Sequence, residues 1–230
     1  MAATLTPNAA FDNAKIFVRN MPLEDVRYRI LDNANKMIWM AHPWRWTLGS
    51  VTNFNLADNT QDYTQAPPGD FLYTRYAYCT DGNTRPILVP VASLPTTEVI
   101  AAGTPSQIAY MGSNTWRLFP KPGAYGGTTW TVVQLYKKAA PLITVANAGT
   151  GGALVMDDEW FHVYEECVLY WAFKYAFDSR EGQAQYDASA RKAVLGGQLA
   201  KAKYWIGQMA ESEPLKLEED LRPEREERKR

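Results

Sequence analysis

The sequence predicts an α+β protein: an α-helical bundle built from both chain ends, an antiparallel β-sandwich or barrel inserted between them, and an extended C-terminal tail. Three observations carry this reading. Residues 44–156 hold 11 of the 15 glycines and 9 of the 14 prolines, but only 12 of the 49 charged residues. The flanks, 1–43 and 157–211, hold few breakers and repeat apolar residues at helical spacing. The end of the chain, 212–230, is dense in charge. The expected organisation is therefore a discontinuous helical domain (1–43 with 157–211), a β insertion (44–156) and a tail (212–230).

In chain order, a short helix is expected from about Ala9 to Arg19. A second starts near Asn20-Met21-Pro22-Leu23-Glu24-Asp25, where a capping Asn, a first-turn proline and acids at the positive dipole end coincide. Leu23, Val26, Ile30, Ala34, Met37, Ile38 and Ala41 form one apolar stripe, which Pro43 ends. Strands rich in aromatics and threonine follow at Trp44–Leu48, Phe71–Tyr78, Arg85–Val89, Thr115–Phe119 and Thr129–Tyr136. Turn clusters separate them at Pro67–Asp70, Asp81–Asn83, Gly112–Asn114 and Pro120–Gly123. Pro90 and Pro95 confine their stretch to an edge or a loop.

Helices return at Met156-Asp157-Asp158-Glu159, again with acids at a helix start. Trp160, Tyr164, Cys167, Val168, Trp171 and Tyr175 mark one apolar face. Phe161, Leu169, Phe173, Ala176 and Phe177 mark another, so this helix needs cover on two sides. One cover could be a second subunit, which makes Trp160, Tyr164, Trp171, Tyr175 and Phe173 candidate interface residues. The last helix is expected from Gln183 to Ala210, with Leu195, Leu199, Ala202, Ile206 and Met209 as a heptad-like seam. Gly196-Gly197 within it costs about 1 kcal/mol per glycine relative to alanine.

Composition excludes several function classes. With 24 Lys+Arg against 25 Asp+Glu, the chain is near neutral, unlike a protein that holds DNA or an anionic membrane by bulk charge. Glu211–Arg230 carries eight acidic and six basic residues, leaving a body of 18 basic against 17 acidic. Such a tail cannot bury enough surface to fold alone and is expected to order only on a partner. No apolar run approaches the roughly 20 residues of a membrane span, and the N-terminus lacks the pattern of a secretory signal. Two cysteines, Cys79 and Cys167, are too few for a disulfide framework or cysteine metal site and read as reduced, buried thiols. The distinctive number is aromatic: 8 Trp, 13 Tyr and 8 Phe, suited to cores and interfaces.

Candidate chemistry is sparse. His42 and His162 have no Cys, Asp or Glu at metal-ligand spacing and read as capping or packing residues. Asp157-Asp158-Glu159 and Glu165-Glu166 could supply a hydrolase with paired carboxylates, but dipole compensation and a solvated face account for them. Gly149-Thr150-Gly151-Gly152 lacks the Gly-Lys-Ser/Thr ending of a phosphate loop and reads as a connector. Trp44, Trp46, Tyr73, Tyr76, Tyr78, Trp116 and Trp130 could stack on sugars or bases, against which a core or interface role is favoured. The expectation is a protein with no catalytic, cofactor or metal residues.

The order of these features resembles the head-to-tail adaptor (connector, tail tubular) proteins of tailed bacteriophages, the short-tailed type above all. An opening amphipathic helix runs into His42-Pro43-Trp44-Arg45-Trp46. Gly103-Thr-Pro105-Ser-Gln-Ile-Ala-Tyr110-Met is followed by Trp116-Arg117-Leu118-Phe119-Pro120-Lys-Pro122-Gly-Ala-Tyr125. Val132-Val-Gln-Leu135-Tyr136-Lys-Lys-Ala-Ala-Pro141-Leu142 is similar to the family's strand with a proline exit, and long helices close the pattern. The likeness spans about residues 20–210. It implies a virion structural protein of the neck, made in the host cytoplasm, without cofactor or membrane. Twelve copies would form a ring below the portal protein, extend the DNA channel, receive the tail nozzle or next tail ring, and help retain the genome. Double-stranded DNA would pass without sequence-specific binding. On this reading Leu215, Leu217, Arg222, Arg225 and Arg228 are candidates for docking on the portal, and Tyr76, Tyr78, Trp116 and Trp130 for meeting the tail. The rival expectations are another tail-associated module, for fibre attachment or glycan binding, and a hydrolase acting through Asp157, Asp158, Glu159 or Glu165.

Overall fold

The computed structural model describes residues 5–18, 23–94, 102–123, 129–176, 185–187, 192–195 and 197–212. Among the described residues it is a mixed α+β structure with four α-helices and a seven-stranded sheet. The described residues fall into two compact units, one within Met1–Trp46 and Ala140–Lys216, the other within Thr47–Ala139.

In the first unit, α1 (Pro7–Phe17) starts where Thr6 accepts the Ala9 N–H at 3.3 Å and proline occupies the first turn, both favoured at a helix start. A 3₁₀ turn (Leu23–Val26) leads into α2 (Arg27–Ala41). A second 3₁₀ turn (Asp158–Trp160) leads into α3 (Phe161–Tyr175). The last helix is α4 (Gly197–Ser212). The expected capping residue Asn20 lies outside the described residues.

Helix α3 is the hub, packing against α1, α2 and α4. That is why its apolar residues are spread around the axis rather than gathered in one stripe. Its Cys167 and Val168 are fully buried among Phe11, Ile30, Leu31 and Ile38 of the other helices. Tyr164, also fully buried, donates its hydroxyl to the Leu31 carbonyl of α2 at 3.0 Å. Arg27 lies 4.6 Å over the Phe11 ring and pairs with Asp12 at 2.6 Å, fixing α1 beside α2.

Two expectations about this unit are corrected. Trp44-Arg45-Trp46-Thr47 is not the first strand: Arg45–Thr47 forms a 3₁₀ turn. Trp44 is fully buried in the helical core, donates its indole N–H to the Ile38 carbonyl at 2.7 Å, and stacks on Trp46. Aromatic content pointed to a strand, but a bulky indole with a donor suits a helix-terminal carbonyl equally well. The last helix does not begin at Gln183. Residues Gln185–Asp187 (β8) and Lys192–Leu195 (β9) pair antiparallel, so Leu195 belongs to a strand. The helix starts at Gly197, whose φ of +70° is left-handed. Glycine enters that region without the penalty other residues carry, and Gly197, expected inside a helix, marks its start.

The segment after the sheet, 140–156, packs with the helices. Its Ile143, Ala148, Leu154 and Met156 are buried in the same core. Two polar residues of α2 hold it: Asp32 accepts the Ile143 N–H at 3.2 Å, and Asn35 donates to the Pro141 carbonyl at 2.9 Å.

The second unit is one sheet rather than a sandwich of two. Its strands are β1 (Leu48–Asn55), β2 (Asp62–Thr64), β3 (Phe71–Thr80), β4 (Ile87–Pro90), β5 (Gln107–Gly112), β6 (Thr115–Phe119) and β7 (Thr131–Lys138). Their order is β1-β7-β3-β4-β5-β6-β2. All pairs are antiparallel except β4 with β5, which corrects the expectation of a purely antiparallel arrangement. The sheet curls so far that its two edges meet: Phe54 of β1 stacks on Tyr63 of β2 at 4.5 Å. Tyr63, Ala77, Cys79, Leu88, Ile108, Trp116, Leu118 and Val132 fill the enclosed core.

Pro90 ends an interior strand. Val89 and Val91 donate to the Ser106 and Ile108 carbonyls, so the missing proline N–H falls between two ladder bonds. The turn joining β5 to β6 runs through Gly112, Ser113 and Asn114, all at positive φ.

Candidate docking surfaces

Of the five aromatics expected at a subunit interface, Tyr164 and Phe173 are 0% and 5% exposed within this chain's own core. They face α1, α2 and α4, so neither is a surface residue. Trp160, Trp171 and Tyr175 are half-buried. Tyr175 accepts from the Asn33 amide at 3.2 Å, and Lys174 lies 4.7 Å over the Trp171 ring. Trp160 and Trp46 line a recess of about 400 Å³ together with Asp157 and Glu159.

A larger groove, about 580 Å³, lies between α1 and α4 over α3. Ala10, Ala14 and Phe17 form the α1 wall, Leu169 and Phe173 the floor, and Gln198 and Lys201 the α4 wall. Its carboxylates are engaged. Glu165 accepts from Asn13 at 2.7 Å, and Glu166 pairs with Lys201 at 2.6 Å while Gln198 donates to the Glu166 carbonyl at 3.1 Å. Ile16, at the rim, is 72% exposed.

On the sheet, Trp116 is 1% exposed and donates its indole N–H to the Gln65 carbonyl at 3.0 Å, so it is core rather than surface. Trp130 is half-buried against that core. Tyr76 and Tyr78 alternate with buried Ala77 and Cys79 and stand on the outer face. Their rings are 6.1 Å apart, with Arg85 at 5.7 Å over Tyr78. Ile87, paired with Tyr78, and Val89 extend this outer patch at 43% and 54% exposure. The tail candidates Leu215, Leu217, Arg222, Arg225 and Arg228 lie outside the described residues.

An ion pair beside Trp116 had no forerunner in the sequence pattern. Arg117, 8% exposed, makes two parallel bonds to Asp62, Nε to Oδ1 at 2.7 Å and Nη2 to Oδ2 at 2.8 Å. Its Nη1 donates to the Leu94 carbonyl. The Arg117 guanidinium holds the Asp62 carboxyl below its ordinary value, outweighing the opposing effect of desolvation. Two charged residues so far apart along the chain, in an otherwise apolar zone, offer no spacing signal.

Both histidines weighed for chemistry have structural partners. His162 Nδ1 lies 3.1 Å from the Glu159 carbonyl, and its ring meets Trp205 edge-on at 5.0 Å. His42 follows the last residue of α2, its ring 4.6 Å from Trp44. Gly149–Gly152 is a turn, with Gly152 at φ +88°. Burial pushes the Cys79 thiol up to about 12 and the Cys167 thiol higher still, so neither is a ready nucleophile. Among the described residues, no cluster of His, Cys, Asp and Glu could hold a metal ion, and no helix is long and apolar enough to cross a membrane.

Compared with known proteins, residues 21–211 match the family model described as SU10 adaptor protein. No curated protein matches the chain.

Proposed function

Because this chain belongs to the SU10 adaptor protein family, a family of phage structural proteins, we propose that it forms a ring of twelve copies below the portal. The ring would extend the DNA channel, connect the capsid to the tail and help retain the genome. The observation that carries this reading is the family match over residues 21–211, which takes in both structural units. The structure is compatible with it at three points. Of the carboxylates and histidines weighed for chemistry, Glu165, Glu166 and His162 are engaged in packing and hydrogen bonds. Both thiols are buried. The apolar and aromatic surface left over, at the α1–α4 groove and on the outer sheet face, suits protein neighbours.

Near-neutrality fits a channel wall, since a strongly basic lumen would hold passing DNA through its phosphates. The outer sheet face with Tyr76, Tyr78, Ile87 and Val89 would meet the tail nozzle or the next tail ring. The tail, with Leu215, Leu217, Arg222, Arg225 and Arg228, would order on the portal. Deleting 213–230 tests the assignment of the tail. The truncated protein should keep its melting temperature but cosediment with portal rings at least tenfold more weakly. Undiminished cosedimentation would defeat it.

A further inference from the structure

The chain leaves α4 at the rim of a recess. Ser212, the last residue of that helix, lines the hollow of about 400 Å³ together with Trp46, Val155, Trp160 and Met209. Trp46 and Trp160 are half-buried and Val155 is 48% exposed, so apolar surface stands open there. The recess also carries charge. Asp157 and Glu159 line it against one positive residue, Arg45. Asp157 does not cap the 3₁₀ turn that it precedes. Among the described residues neither carboxylate is ion-paired. Because α4 ends at this rim, the negative end of its dipole lies here too, and its last turn holds no basic residue. A complementary occupant is therefore apolar and carries a cation.

The residues that follow Ser212 have that composition. The tail opens Glu213-Pro214-Leu215-Lys216-Leu217. Pro214 bars the helix from continuing, and at about 3.5 Å per residue Leu215 is within roughly 10 Å of Ser212. In an extended segment Leu215 and Leu217 fall on one side and Lys216 on the other, which suits a lining that is part apolar and part acidic. Lys216 is the one cation among residues 213–221. Glu218, Glu219 and Asp220 come next and are repelled by Asp157 and Glu159, so the complementary stretch ends at Leu217.

We propose that in the free subunit residues 214–217 dock in the recess of their own copy. Leu215 and Leu217 lie against Trp46, Trp160 and Val155, and Lys216 lies beside Asp157 and Glu159. This rests on the reading of the tail as the arm that docks on the portal, and it states where the start of that arm is held before docking. The dock is weak, because the gain from burying two leucines is offset by ordering the backbone that carries them. Its loss therefore leaves the melting temperature unmoved, and a portal surface can draw the segment out.

The test uses the full chain carrying Val155→Cys, with the natural tail or with Leu215→Glu and Leu217→Glu. The natural cysteines are buried and silent. A maleimide should label position 155 at least threefold more slowly with the natural tail, and equal rates overturn the dock. Slowing that deepens with protein concentration would place the tail of a second copy in the recess and overturn it. Slowing that appears only with added portal rings would place a portal segment there and also overturn it. A second measurement needs no added cysteine. Asp157 and Glu159 are exposed, and trypsin should cut after Lys216 at least threefold faster in Asp157→Asn/Glu159→Gln than in the natural chain; an unchanged rate counts against the dock. Equal labelling rates, with portal binding still weakened by deleting the tail, overturn the dock alone. Slowed labelling with portal binding undiminished by that deletion overturns the portal reading alone.

Discussion

Replacing Asp62 by Asn isolates the half-exposed ion pair of the sheet unit. The substitution keeps the shape and one acceptor for Arg117 but removes the charge, leaving a guanidinium on a residue 8% exposed without its counter-ion. Breaking a fully buried pair from one side costs about 3–5 kcal/mol. The Asp62 side chain is 44% exposed, so water screens the pair and relieves part of that. Hydrogen bonds to charged groups contribute about 1.5–3 kcal/mol, and the expected loss is about 2 kcal/mol. For a unit of this size that corresponds to a fall in melting temperature of roughly 8–16 °C.

The pH dependence gives an independent check. The folded-state value of Asp62 is depressed, so its contribution is fully present above the unfolded value of about 3.9. It is lost as pH falls through the folded value. The gap in stability between natural and D62N protein should be constant from neutral pH down to about 5 and close below 4. Urea melts followed by tryptophan fluorescence, at pH 7 and pH 3.5, measure both. Equal stability at pH 7, or a gap unchanged at pH 3.5, would refute the assigned role of the pair.

Three further outcomes are expected. Gly49→Ala would place a methyl group inside the Tyr136 ring, which Asp70 holds at 2.9 Å, and should cost about 1–3 kcal/mol; adding Tyr136→Ala should make the extra methyl group tolerable in a double-mutant melt. Tyr164→Phe strips a buried donor from the Leu31 carbonyl and should destabilise the helical unit by about 1–2 kcal/mol without changing its secondary structure, read by circular dichroism melts. Cys79 and Cys167 should stay unreactive toward a thiol reagent at pH 8 in the folded protein and both react in guanidinium, because burial holds Cys79 at about 12 and Cys167 above that. Fast labelling of either in native buffer would contradict the buried placement.

The helices and the breaker-rich zone were legible because periodicity and turn residues are local signals. The α2 stripe ending before Pro43 and the turns at Asp81–Asn83 and Gly112–Asn114 appear where the pattern put them. Local signals failed where side chains answered to distant partners. Strand β1, Leu-Gly-Ser-Val-Thr-Asn-Phe-Asn, is too polar to announce itself and exists because β7 pairs with it. Trp44 looked like strand material and is a helix-end donor. Phe173 and Tyr164 looked like spare apolar surface because one helix has no way to show that three others surround it. The segment 140–156, of which Gly149–Gly152 reads as a connector, packs on the helices because Asp32 and Asn35 anchor it. Those two polar residues, set among the buried positions of α2, were the available clue.

The central claim is that this chain is an adaptor that assembles on a portal. Native mass spectrometry of portal rings mixed with the purified protein tests it most directly. The mass should rise by twelve times 25.9 kDa in one cooperative step. A portal mass that stays unchanged at saturating protein would contradict it.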